Sequence, residues 1–255
     1  MYKKEFMFIK SMEKFCNSLS DDYLDDVYGR IEYIEKTSKH DLLTEMDIKI
    51  EKLISDKLAE FDDSIPRVGE ESGGSRKHDK YWLIDPIDGT IHFVRGNPFC
   101  TIMVALVYGG RPVASFIYNI RTRDFSYAAK DMGAFCGDRK LQIMKRSPEQ
   151  AVVLTEFGPG SELSRNNISN KFRVVNFMCA GYEFDLVAKG TIDARIVVKP
   201  VGKDYDFAPG ILLVSEAGGV VLSTDRSEYL IEAGGDFIVA NSMEVYDAIV
   251  FEIEN

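Results

Sequence analysis

Two short acidic stretches carry residue types that do chemistry together. One is Asp85-Pro86-Ile87-Asp88-Gly89-Thr90 and the other is Gly69-Glu70-Glu71-Ser72. Carboxylates set around a Pro-Ile kink do not serve packing, because a buried carboxylate is costly unless it is paired, hydrogen-bonded or bound to a metal. Hard cations such as Mg²⁺ take oxygen ligands of this kind. Each stretch follows a short apolar run, Tyr81-Trp82-Leu83-Ile84 in one case and a run ending at Val68 in the other. Such runs read as buried strands. Two acidic clusters at the ends of strands suggest one shared cation site. Gly89 permits a tight turn and close backbone approach to a ligand, and Thr90 opens the next segment with a hydroxyl.

The elements that must position these groups are legible in order. Ile9, Met12, Cys16 and Leu19 recur at helical spacing, as do Leu24, Val27 and Tyr28, with a break near Ser20-Asp21-Asp22 and a stop at Gly29. Residues 31–36 lean towards a strand. Met46, Ile50, Leu53, Ile54, Leu58 and Phe61 form one face of an amphipathic helix. Thr44 and Asp47 at its start fit a capping box, so a structural reading of both stands beside a functional one. Strands follow over 65–68, 81–84, 99–108, 112–118 and 124–129. Consecutive strands with turns between them predict antiparallel pairing. Beyond Ser147 the pattern changes to alternation: strands at 151–155, 172–175, 192–198, 220–222 and 237–240. Helices are predicted at 179–189, from Asp206 with Pro209 in its first turn, and after Ser242. We read residues 1–255 as one compact unit, with an α+β half over 1–147 and an α/β half over 148–255.

Composition bounds the rest. The chain has 255 residues, 45% hydrophobic, with 41 acidic against 31 basic side chains and a formal charge of −10. That balance argues against direct nucleic-acid or anionic-membrane binding, which want a basic face. The four cysteines, Cys16, Cys100, Cys136 and Cys179, are widely spaced and read as free thiols of a reducing cytosol. His40, His78 and His92 lack zinc-type spacing. No signal-peptide pattern and no membrane-length apolar run is evident, so a soluble cytoplasmic protein is expected.

The ordered motifs resemble those of the inositol monophosphatase family, in the superfamily that includes fructose-1,6-bisphosphatase and the nucleotide bisphosphate phosphatases. The motifs are Asp41-Leu42-Leu43-Thr44-Glu45-Met46-Asp47, Gly69-Glu70-Glu71-Ser72 and Trp82 through Thr90, followed by Gly133-Ala134-Phe135-Cys136, Asp206-Phe207-Ala208-Pro209-Gly210 and Glu216-Ala217-Gly218-Gly219. The resemblance runs nearly end to end. It implies an α+β / α/β fold, a layered α-β-α-β-α sandwich, as a homodimer. It implies Mg²⁺-dependent hydrolysis of a small phosphorylated polyol or sugar with two or three ions, and inhibition by Li⁺. By position, the implied metal ligands are Glu70, Asp85, Asp88 and Asp206 with the Ile87 carbonyl. The implied catalytic residues are Asp47, Glu70 and Thr90, of which Asp47 and Thr90 match residues that orient the nucleophilic water. Glu71 lies behind them, and the Gly89 and Thr90 backbone N–H groups would hold the phosphate. Implied substrate contacts are Asp88, Gly89, Thr90, Ala180, Gly181, Glu183 and Lys199. The chemistry is coherent: metals neutralise phosphate charge and lower the pKa of water, and such catalysis is mostly positioning and electrostatics.

The sequence departs from the family pattern in places. Tyr205-Asp206 stands for Trp-Asp, and Ile91-His92-Phe93 for Thr-Asn-Phe. His92 reads either as pocket-facing or as a structural hydrogen-bonder. An ungapped count puts Lys199 where inositol-specific members carry a Glu. A cation cannot accept hydrogen bonds from hydroxyls, so Lys199 pairs with a second phosphate or a carboxylate, or is merely solvated. Cys179-Ala180-Gly181-Tyr182-Glu183-Phe184 resembles a bacterial branch with a Cys-Ala-Gly-His-Glu motif. There Ala180 and Gly181 keep room for a substrate ring, and Glu183 is a substrate contact or a surface pair. Rival activities are a fructose-1,6-bisphosphatase and a 3′-phosphoadenosine 5′-phosphate phosphatase. A rival of another class is a SuhB-like regulatory partner of the transcription machinery.

Overall fold

The computed structural model describes residues 2–36 and 42–254; the expectations placed on His40 and Asp41 lie outside them. Helix α1 (Lys3–Leu19) buries Ile9, Met12, Cys16 and Leu19. Instead of breaking, it runs on into a π-helical turn over Ser20–Leu24. The strand expected over 31–36 is only the exposed pair β1 (Ile34–Glu35), antiparallel to β2 (Leu42–Leu43). Helix α2 (Glu45–Ala59) starts at an N-cap Thr44, and the capping box with Asp47 is formed.

Seven strands follow in spatial as well as chain order: β3 (Arg67–Gly69), β4 (Lys80–Asp88), β5 (Thr101–Tyr108), β6 (Arg111–Asn119), β7 (Phe125–Ala129), β8 (Gly133–Cys136) and β9 (Arg139–Lys140). All neighbours are antiparallel except β3 and β4, which are parallel. The short helix α3 (Thr90–Arg95) links β4 to β5. The second sheet comprises β10 (Val152–Phe157), β11 (Arg173–Val175), β12 (Ala194–Val198), β13 (Val220–Ser223) and β14 (Phe237–Ala240), in the order β11-β10-β12-β14-β13. Between these strands run α4 (Glu162–Lys171), α5 (Ala180–Ala188) and α6 (Asp204–Glu216), and α7 (Met243–Glu254) closes the fold. Ser242 Oγ accepts the Val245 N–H at the start of α7.

Strand alternation sorts the layers. On β4, Trp82 and Ile84 face a core shared with Ile9, Met12, Ile50 and Ile54 of α1 and α2. Tyr81 and Leu83 face the opposite core, built with Phe184 of α5, Leu213 of α6 and Val197 and Phe237 of the second sheet. The far face of that sheet packs Val153, Ile196 and Ile238 against Ile168 of α4 and Val245 and Ile249 of α7. The result is the layered α-β-α-β-α arrangement.

Two expectations are corrected. One concerns residues 162–171, for which no element was expected and where α4 forms; its sequence is polar and only Ile168 is buried, so no apolar stripe announces it. Helix α6 starts at Asp204, not Asp206, and Pro209 lies inside it rather than in the first turn. The cap is Lys203, whose backbone N–H is accepted by Asp206 Oδ2, and lysine is not a residue that announces a cap.

Candidate active site

Strand β4 does not end at Pro86 but continues to Asp88, with its register to β5 shifting between Asp85 and Asp88. The irregularity accommodates a proline, which has no N–H to give the ladder, and places both carboxylates at one end of the sheet. The start of α6 brings Asp206 to the same place. Carboxylate oxygens of Asp85, Asp88 and Asp206 lie within 4.8 Å of one another. Glu70 follows β3, its N–H donating to the Ile84 carbonyl at 3.0 Å. The turn after it is fixed by buried Glu51, whose carboxylate accepts the N–H groups of Glu71 (2.7 Å) and Ser72 (2.8 Å).

So many carboxylates in one place repel one another, and burial penalises their charge. Burial, with Glu70, Asp88 and Asp206 nearby, pushes Asp85 well above the usual carboxylate range. Burial and Asp88 push Asp206 up to about 8. Burial also raises Glu71 to about 7, against the opposing pull of Lys36. The Lys36 ammonium donates to Glu70 at 3.0 Å and to Glu71. Neither Lys36 nor Glu51 stands out in the sequence: one lies in an ambiguous stretch, the other on a helix with no unusual spacing.

Asp47 serves two neighbours with two oxygens. Its Oδ2 accepts both the backbone N–H and the hydroxyl of Thr44, at 2.7 and 2.6 Å. Its Oδ1 lies 3.4 Å from the Thr90 hydroxyl, which also sits 2.9 Å from the Ile87 carbonyl. The capping and functional readings therefore use different atoms of one side chain. Burial raises Asp47 to about 6, opposed by the Thr44 hydrogen bonds.

On the other side, Asp88 Oδ2 accepts three donors: Gly181 N–H at 2.6 Å, the Cys179 thiol at 3.0 Å and the Thr101 hydroxyl at 3.1 Å. The room beside Gly181 is not open to a substrate. A Cβ there would meet Thr101 Oγ1 at 2.3 Å and Met103 Sδ at 2.8 Å. A cavity of about 550 Å³ opens beside the carboxylates, lined by Asp88, Asp206, Ala180, Glu156, Glu183 and Arg195 among others. Glu183 is no surface pair: it is 2% exposed and bonded to Arg195 Nε at 3.0 Å and to the Phe177 N–H at 2.8 Å. Lys199 is not among the residues that line the cavity; its ammonium donates to the Gly160 carbonyl. His92 Nε2 meets the Phe177 carbonyl at 2.7 Å, a structural contact.

The donor set fits a divalent cation. Asp85 Oδ1 is buried with no hydrogen-bond partner among the described residues, and an all-oxygen cluster suits Mg²⁺ rather than a softer metal. The comparisons agree in kind. The sequence pattern that defines the inositol monophosphatase family matches residues 13–254. A protein of Thermotoga maritima named fructose-1,6-bisphosphatase/inositol-1-monophosphatase is 29% identical over 238 residues, 88% of this chain and 87% of the relative. A Nus factor SuhB of Xylella fastidiosa is 31% identical over 199 residues, covering 74% of this chain and 71% of its own. The solved structure of a Thermotoga maritima IMPase superposes with a TM-score of 0.83 at 26% identity, covering 96% of each chain. With that match over almost its whole length, the chain belongs to the inositol monophosphatase family and is a phosphatase.

Proposed function

We propose that this chain is a Mg²⁺-dependent phosphate monoester hydrolase acting on a small polyol or sugar phosphate. The observation that carries the reading is the convergence of Asp85, Asp88 and Asp206 around an unpartnered buried oxygen. Glu70, Asp85, Asp88, Asp206 and the Ile87 carbonyl would hold the metal, two or three ions in number. When bound, the metal neutralises phosphate charge, acidifies water and steadies the leaving oxygen. The Thr90 hydroxyl has one proton; donated to Asp47 Oδ1, it leaves the oxygen lone pairs to accept from a water and orient it. Asp47, with its carboxyl near 6, is poised to take a proton close to neutral pH. The Gly89 and Thr90 N–H groups are assigned to the phosphate. Asp88 Oδ2, with three donors already, is held rather than free to move. Ala180 lines the cavity that would receive the substrate's body.

The deciding experiment is phosphate release from inositol 1-phosphate, glycerol 2-phosphate, fructose 1,6-bisphosphate and 3′-phosphoadenosine 5′-phosphate, with and without EDTA. EDTA-sensitive release from the monophosphates is expected. A strong bisphosphate preference would move the assignment to the fructose-1,6-bisphosphatase type, and EDTA-resistant release would sink the metal-dependent reading. The SuhB-named relative favours a second reading, a protein partner in the transcription machinery. A pull-down with Asp85→Asn tests it: a partner retained without turnover would support a separate regulatory role.

A further inference from the structure

Arg195 sits on β12, only 2% exposed, among groups the reaction does not use. Its Nη2 donates to Glu156 Oε2 at 2.7 Å and its Nε to Glu183 Oε2 at 3.0 Å. The guanidinium lies 4.7 Å from the ring centre of Phe184 and 5.7 Å from that of Phe207, and Nη1 has no hydrogen-bond partner among the described residues. Buried ion pairs are poor sources of net stability, and a role in fixing geometry has to be argued from what they hold. Here each carboxylate reaches a segment that ends at the carboxylate cluster.

Through Glu156 the fork reaches Asp206. Glu156 Oε1 accepts the N–H groups of Val201 at 3.0 Å and Gly202 at 2.9 Å. Gly202 lies so close to Asp206 that a Cβ would stand 3.0 Å from its Oδ2 and 2.7 Å from the Phe207 ring. The next residue, Lys203, gives its N–H to the same Oδ2. Through Glu183 the fork reaches Asp88. Glu183 Oε1 accepts the Phe177 N–H. The turn then passes Met178, at φ 54°, to Cys179 and Gly181, two of the donors on Asp88 Oδ2.

We propose that Arg195 is a positioning residue that locks the Glu156-held loop before Asp206 and the Glu183-held turn that donates to Asp88 into one arrangement, setting the spacing of the two carboxylates for the cation. The inference rests on the metal-dependent reading above. Charge alone predicts the opposite sign: deleting a cation beside a cluster of carboxylates strengthens their attraction for another cation. Positioning predicts that binding weakens.

The test is Mg²⁺ affinity by titration calorimetry, without substrate, in wild type, Arg195→Met, Arg195→Lys and a control, Arg146→Met. Arg146 bonds buried Asp193 at 2.9 Å and is not among the residues lining the cavity, so its loss lowers the melting temperature without touching the carboxylates. Arg195→Met is expected to bind Mg²⁺ about tenfold more weakly or worse, with the Mg²⁺ needed for half-maximal turnover rising in parallel; the control stays within about twofold of wild type. Arg195→Lys keeps the charge but cannot fork to both carboxylates. It is expected to bind more weakly too, and it carries the test should the methionine variant not fold. Unchanged or tighter Mg²⁺ binding in a folded Arg195 variant overturns the proposal. A wild type that binds no Mg²⁺ overturns the metal-dependent reading first, and this one with it.

Discussion

Asp206 shows how one carboxylate is made fit for a cation and what that implies for pH. Its carboxyl stands near 8 against an ordinary value of 3.8 because it is buried beside Asp88. A ligand must be deprotonated, so protons compete with the metal. Mg²⁺ affinity is therefore expected to fall as pH drops from 8 to 6, by up to about tenfold per unit for each proton displaced. Calorimetry at several pH values checks this, and a flat profile would show that the carboxylates are already ionised without metal. Asp206→Asn removes the charge and keeps the shape. It should cost at least about 100-fold in Mg²⁺-dependent turnover, since even groups behind a ligand cost 10–100-fold. Near-normal turnover in that variant would remove Asp206 from the site.

Helix α6 carries Asp206 and the start of α5 holds Asp88 through the Gly181 N–H, and the contact between the two helices is unusually close. A Cβ at Gly210 would stand 2.1 Å from Cγ of Phe184. Intrinsic propensity favours Gly→Ala inside a helix by about 1 kcal/mol, whereas overpacking a core costs about 1–3 kcal/mol. At 2.1 Å the clash should win, so Gly210→Ala is expected to destabilise the chain in urea or thermal melts. A gain in stability would show that the two helices part at little cost. The same elements mark what the sequence could reveal. Apolar runs and periodicity exposed α1, α2 and β3 to β7 of the first sheet, but not the short β8 and β9. It was silent on α4, which buries one isoleucine, and on the start of α6, whose cap is a lysine with Asp206 reaching back. The acidic motifs of the site were visible as spacing. Lys36, Glu51, Glu156 and Arg195 were not, because their meaning lies in partners far along the chain. The motif Glu216-Ala217-Gly218-Gly219 also gains a physical reason only in three dimensions: Glu216 accepts the N–H groups of Asp131 and Gly133 at 2.9 and 2.8 Å, tying α6 to the turn before β8.

For the molecule as a whole, the carboxylate cluster is a source of instability until a cation arrives. A carboxyl whose pKa is raised on folding holds its proton more tightly in the folded state. Stability of the metal-free chain from this source is therefore full below about pH 4 and is lost as pH rises towards 8. Mg²⁺ reverses the loss because it binds the folded form. A concentration near a hundred times the dissociation constant contributes about 2.7 kcal/mol, or roughly 5–10 °C in melting temperature for a chain of this size. The Mg²⁺-induced rise should be larger at pH 8 than at pH 6, and scanning calorimetry at the two values decides it. Equal shifts would place the titrating groups away from the metal.

Asp85 and Asp88 lie in the first sheet, whereas Asp206 enters on a helix between the sheets. Synthesis on the ribosome is vectorial, and domains fold from the N-terminus as they emerge. The strands from β4 to β9 are a local meander, quick to close, so this sheet can form before Asp206 exists. Its face bearing Tyr81, Leu83, Met103, Ala105 and Val107 is covered in the finished protein by α5 and α6, which are translated later. If the sheet closes at that stage, the nascent chain exposes a bare apolar face until α5 and α6 emerge, and that face, rather than the acidic site, is where a chaperone would act.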